Sequence, residues 1–169
     1  DSTLPWRLLD CVTANAAILR HIGVVFRIAN GDCYGWEGSN GCCQPTCTHV
    51  WGYEQTLAYL FPDLEREMRR IDFKHQQRED GGVNNRTDVP SPPRPTGEQP
   101  FADGHASCIL KAYREALNSP DEAFFQEYWP HIKRAVEYLI GRDAKSHGGE
   151  PAGYLEDDQW NTYDEALHG

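Results

Sequence analysis

Apolar residues recur at three- and four-residue spacings along most of this chain. That rhythm selects a mostly helical fold, because a helix face repeats about every 3.6 residues and a strand face about every two. The first run, residues 3–22, carries Leu8, Val12, Ala16 and Leu19, with Thr3 as a cap ahead of Pro5. The longest begins at Thr48 and sets Tyr53, Leu57, Leu60, Leu64, Met68 and Ile71 on one stripe, all expected in the core. Pro62 is expected to kink or split it, since proline removes a backbone donor and crowds the preceding turn. Asp103 caps a further helix bearing Ala106, Ile109, Leu110, Tyr113 and Leu117. Asp121 caps another with Phe124, Phe125 and Tyr128, and Pro130 opens a last one with Ile132, Val136, Leu139 and Ile140.

One short stretch breaks the pattern. Val24 to Ile28 is rich in β-formers, Asn30-Gly31 supplies turn chemistry, and Cys33 to Trp36 returns, so a small hairpin is expected with Glu37 at its exit. Residues 38–47 have turn composition and no periodicity, and read as a loop. Residues 74–102 form a long loop, dense in Pro, Gly, Asn and charge, which reads as a lid or rim. No repeat at a fixed period interrupts this order, so residues 1–169 read as part of one domain.

Composition excludes several classes. The 26 acidic against 16 basic residues give a formal charge of -10, the wrong sign for nucleic acid or an anionic membrane surface. No apolar run approaches the ~18 to 20 residues of a membrane span. Asp1-Ser2-Thr3-Leu4-Pro5 has no basic stretch leading into an apolar one. The chain lacks an initiator Met and ends at Leu167-His168-Gly169 straight after a motif, so it reads as an internal piece of a longer reading frame, truncated at both ends. Cys11, Cys33, Cys42, Cys43, Cys47 and Cys108 occur in a chain long enough for an ordinary core, and reduced thiols in a cytoplasmic protein are expected. Gly-rich nucleotide loops, Gly-x-Ser-x-Gly elbows and His-Glu-x-x-His helices are missing.

Carboxylates set among aromatics and loop glycines suit glycoside hydrolysis. That chemistry needs two carboxyl groups about an anomeric carbon, and a ring on which the C–H face of a sugar can pack. Glu37 in Tyr34-Gly-Trp-Glu-Gly38 and Asp164 in Trp160-Asn-Thr-Tyr-Asp164 have those neighbours, although an ordinary acidic loop has them too. The alternative is a non-enzymatic zinc-binding or interaction module on Cys42, Cys43, Cys47 and His49. Adjacent cysteines are not a zinc knuckle, and no second ligand pair follows, so buried thiols are the favoured account and no metal or cofactor is expected. Glu65 and Arg69 read as an i,i+4 pair on a solvated face, and Asp103-Gly104-His105 as a cap and turn.

Several stretches in order resemble the catalytic region of glycoside hydrolase family 116, which includes the non-lysosomal glucosylceramidases and bacterial β-glucosidases. They are Gly35-Trp-Glu-Gly38, Thr48-His-Val-Trp-Gly-Tyr-Glu-Gln-Thr-Leu-Ala-Tyr-Leu-Phe-Pro62, Asp63-Leu-Glu-Arg-Glu-Met-Arg69, Asp103 to Glu115, and Asn161-Thr-Tyr-Asp164. The resemblance implies part of an (α/α)6 barrel of the six-hairpin glycosidase type. It implies a retaining β-glycosidase acting on a β-glucoside, a related β-glycoside or a glycolipid, with Glu37 as nucleophile and Asp164 as acid/base. Trp36, His49 and Thr162 are the expected substrate-binding residues. The sequence departs from the family at Trp36, where Leu is frequent, in its Cys-rich loop, and at His49, where characterised glucosidases often carry a sugar-binding Asp.

Overall fold

The computed structural model describes residues 2–14, 25–36, 45–91, 95 and 99–153. Among these the chain is mostly helical, with six α-helices and one two-stranded antiparallel hairpin. Helix α1 (Trp6–Ala14) starts where the Pro5 carbonyl accepts from the Leu8 and Leu9 amides. The later part of the expected first helix lies outside the described residues. The expected hairpin is present: strands β1 (Val25–Arg27) and β2 (Cys33–Gly35) pair Val25 with Gly35, Phe26 with Tyr34 and Arg27 with Cys33. The turn is made by Gly31 at φ +95° and by Asn30, which accepts from the Asp32 amide and donates to its carboxylate.

The long run from Thr48 breaks into three helices: α2 (Thr48–Gly52), α3 (Leu57–Leu60) and α4 (Pro62–Ile71), the last continuing into a π-helical segment, Asp72–Gln76. Pro62 opens α4, where its missing N–H costs nothing. The earlier break is due to Glu54, buried beneath the chain, whose Oε1 accepts from the Thr56 amide (2.5 Å) and the Leu57 amide (2.9 Å) and so starts a new helix. Each break resets the helical phase. Leu57, Met68 and Ile71 are buried, but Tyr53 is 71% and Leu60 54% exposed, which corrects the single core stripe.

Helices α5 (Ala102–Asn118) and α6 (Ala123–Ser146) follow, joined by residues 119–122 and packed on each other. Two expectations fail here. Helix α5 buries His105, Cys108, Lys111, Ala112 and Glu115, while Leu110, Tyr113 and Leu117 face outward. Pro130 sits inside α6 instead of opening a helix, since only one i→i−4 bond is forfeited within 24 residues. Asp121 does accept from the Ala123 amide at the start of α6.

Residues 81–87 are buried rather than forming a lid. Gln77 and Val83 form an isolated bridge, and Val83 joins a core of Phe73, Cys108, Ala112, Phe124, Tyr128, Ile132 and Ala135. A second core unites the hairpin with α2, α3 and α4 through Cys33, Cys47, Trp51, Leu57 and Met68.

Between the cores lies a buried ion network. Glu65 and Arg69, expected on a solvated face, are 1% and 2% exposed. Arg69 pairs with Asp72 at 2.7 Å and with Glu65 at 3.4 Å, and Arg114 reaches Glu65 at 2.8 Å. Burial pushes the Glu65 carboxyl up, but Arg69, Lys111 and Arg114 outweigh it and hold it below the ordinary range. The i,i+4 spacing is the same on a surface or in a core; what differs is α5, which supplies the extra cations.

Candidate active site

The arrangement is built where β2, the start of α2 and the start of α5 meet. Gly35, the last residue of β2, lies against the Trp51 indole so closely that a Cβ would come within 2.3 Å of the ring. Only glycine allows that approach, and Trp51 is buried beneath it. The strand end is tied to the next segment by the Thr46 amide, which donates to the Gly35 carbonyl at 2.6 Å. Thr46 itself has φ +58°, and its carbonyl accepts from the buried Gln76 amide group, which also donates to the Asn84 carbonyl. The Thr87 amide donates to Pro45, and the Thr48 amide to Asn85. Residues 45–48 are thus held from two sides, and α2 leaves them in a fixed direction.

Helix α5 closes on α2 at Gly104. A Cβ there would lie 2.3 Å from Thr48 Oγ1 and 2.7 Å from the His49 amide nitrogen. The contact brings Asp103 to His49, whose Nδ1 stands 2.5 Å from Asp103 Oδ2. Asp103 Oδ1 accepts from the Gly104 amide at 2.6 Å, and the Tyr53 hydroxyl donates to Oδ2 at 3.4 Å. The His49 ring meets Tyr53 edge-on, with centroids 5.4 Å apart, and Phe101 at 6.4 Å. Partial desolvation and the Asp103 charge hold the Tyr53 phenol above its ordinary value. The pair is accessible: His49 and Asp103 retain 30% and 28% side-chain exposure. A groove of about 360 Å³ begins beside Asp103, lined by Gly52, Gln55, Ser107, Leu110 and Arg114.

Lys111 supports the arrangement from below by donating to the Trp51 carbonyl, and burial brings its ammonium down to about 8. Cys108 lies by Asp72 in the same buried layer, and burial raises its thiol well above the usual range.

Of the expected site residues, His49 is in the first turn of α2, and Trp36 is half-buried just beyond β2. Glu37, Thr162 and Asp164 lie outside the described residues, as do Cys42 and Cys43 of the alternative cluster. Cys47 is buried, and among the described residues no group of three or more His, Cys, Asp or Glu side chains is set to hold a metal ion. Asp103 and Tyr53 are the additions. Asp103 lies 54 positions from its partner, a separation that no helical or strand spacing reports. Among the described residues no helix is long and apolar enough to cross a membrane. Comparison of the sequence with protein-family models and with curated proteins gives no match.

Proposed function

We propose that this chain is part of the catalytic domain of a retaining β-glycosidase resembling glycoside hydrolase family 116, built on part of an (α/α)6 barrel. The observation that carries this reading is the convergence of three motif stretches far apart in sequence. The Gly35-Trp36 strand end, the Thr48-His49 helix start and the Asp103-Gly104 helix start meet through contacts that admit only glycine at 35 and 104. A merely structural scaffold has no need to leave a His–Asp pair partly open at such a junction.

The outward stripe of Leu110, Tyr113 and Leu117 on α5 also fits the barrel, since a second helical layer would cover it. In the proposed reaction Glu37 attacks the anomeric carbon while Asp164 protonates the departing glycosidic oxygen. Asp164 then takes a proton from water, which releases the sugar from Glu37 with net retention. Trp36 packs on the C–H face of the sugar, and His49 and Thr162 bind its hydroxyls. The substrate is a neutral carbohydrate or glycolipid, consistent with the formal charge of -10.

Hydrolysis of aryl β-glucosides, β-xylosides and β-N-acetylglucosaminides by the full-length protein tests the reading. Glu37→Gln and Asp164→Asn should each lower kcat by about a hundredfold or more on a substrate whose leaving group needs protonation. Full activity in either variant removes that residue from its role.

A further inference from the structure

We infer that Asp103 is a positioning residue: it fixes His49 with the proton on Nδ1, so that Nε2 presents a lone pair to accept a hydrogen bond from one hydroxyl of the bound glycoside. The inference rests on the glycosidase reading for the identity of the ligand but not for the state of the ring.

The geometry determines which nitrogen carries the proton. An ionised carboxylate only accepts, so an imidazole Nδ1 at 2.5 Å from Asp103 Oδ2 must donate. A neutral ring protonated on Nδ1 has its acceptor on Nε2, on the far side of the ring from Asp103. The ring is held in plane by more than this one bond. Tyr53 stands edge-on to it at an interplanar angle of 79° and Phe101 at 76°, and Tyr53 also donates weakly to the same carboxylate oxygen. Asp103 in turn cannot rotate freely, because its other oxygen accepts from the Gly104 amide at 2.6 Å. Gly104 packs against Thr48 and His49 too closely for any side chain. The chain of constraint thus runs from a helix contact, through a carboxylate, to the tautomer of one ring.

This fixes what the amide isostere would do. In Asp103→Asn the Gly104 N–H still requires an acceptor, so the carboxamide oxygen turns to it and the amide NH2 faces His49. Nδ1 must then accept, the proton moves to Nε2, and the ring presents a donor where it had presented an acceptor. An amide at such a position can force the wrong tautomer while leaving the geometry intact. The ligand hydroxyl loses its acceptor.

The test has one part that needs no catalysis. Nitrogen NMR of histidine-labelled protein, at a pH above the ordinary imidazole range of about 6.5, should show His49 protonated on Nδ1. The same ring should be protonated on Nε2 in Asp103→Asn, with the signal assigned by its loss in His49→Gln. An Nε2-protonated ring in the unaltered protein overturns the proposal without recourse to any variant. The second part uses the full-length protein and a series of monodeoxy aryl β-glucosides. Removing the hydroxyl that His49 accepts should cost about tenfold in kcat/KM in the unaltered protein, the value of one well-made hydrogen bond. That penalty should vanish in Asp103→Asn. If Asp103→Asn instead lowers turnover of every deoxy substrate by the same factor, Asp103 acts structurally and the proposal fails. Full activity of Glu37→Gln would overturn the nucleophile assignment, whereas a correct tautomer and a single-position deoxy penalty in that case would still support the positioning of His49.

Discussion

His105 is fully buried, and both of its ring nitrogens are spent on backbone. Nδ1 accepts from the Val83 amide at 3.0 Å, and Nε2 donates to the Ala135 carbonyl at 2.8 Å. Burial brings its imidazole down to about 4 from the ordinary 6.5. The unfolded chain therefore takes up a proton that the folded one refuses through this window. The contribution of His105 is complete above about pH 6.5 and is lost progressively as pH falls toward about 4, to the extent of ~3 kcal/mol. Thermal unfolding between pH 4 and 7 should show His105→Gln less stable than the parent at neutral pH but with a flatter loss on acidification. An unchanged slope would assign the acid sensitivity elsewhere. Asp103-Gly104-His105 was legible as a helix start and no more. The three residues serve an open pair, a close packing contact and a buried bridge, and each purpose is set by a partner 20 or more positions away.

The helices show what periodicity can and cannot convey. It reported that residues 48–71 are largely helical, though not on one continuous apolar face, and it located the hairpin with its Asn30-Gly31 turn. It did not report the break after Gly52, which depends on the buried Glu54 carboxylate capping a helix within the same run. In α5 Leu110, Tyr113 and Leu117 face outward while Lys111 and Glu115 turn inward with Cys108 and Ala112, because the Glu65 and Asp72 carboxylates of the preceding segment offer negative charge to Lys111 and Arg114. Two glycines separate packing from propensity at this scale. Gly104→Ala should destabilise by about 1–3 kcal/mol, because its Cβ meets the His49 backbone amide and α5 must withdraw. Gly141→Ala, within α6 and with nothing inside 4 Å of the added carbon, should stabilise by about 0.5–1 kcal/mol. Urea unfolding of both variants checks the contrast, and a similar effect of both would refute the crowding at Gly104.

On the scale of the whole molecule, the two apolar clusters among the described residues are joined by charge rather than by a continuous apolar seam. Arg69 is central to that junction, paired with Asp72 and Glu65 and itself buried. Removing one partner of a buried pair leaves an uncompensated ion, so Arg69→Met should cost about 3–5 kcal/mol in urea unfolding. A cost under about 1 kcal/mol would mean that the carboxylates find other cations or protons.

Residues 45–48 bond to Gly35, Gln76, Asn85 and Thr87, none of them a near neighbour in the chain, while the Cys47 carbonyl accepts locally from the Trp51 amide at the start of α2. Apart from that turn, the segment gains little from local order, because each of its long-range bonds requires a loop of ten or more residues to have closed first. The ground on which His49 stands is therefore assembled late in folding and opens early in unfolding. Its amides would register partial loosening of the protein before the centres of α5 and α6 did, which makes this short stretch an internal gauge of whether the fold is complete.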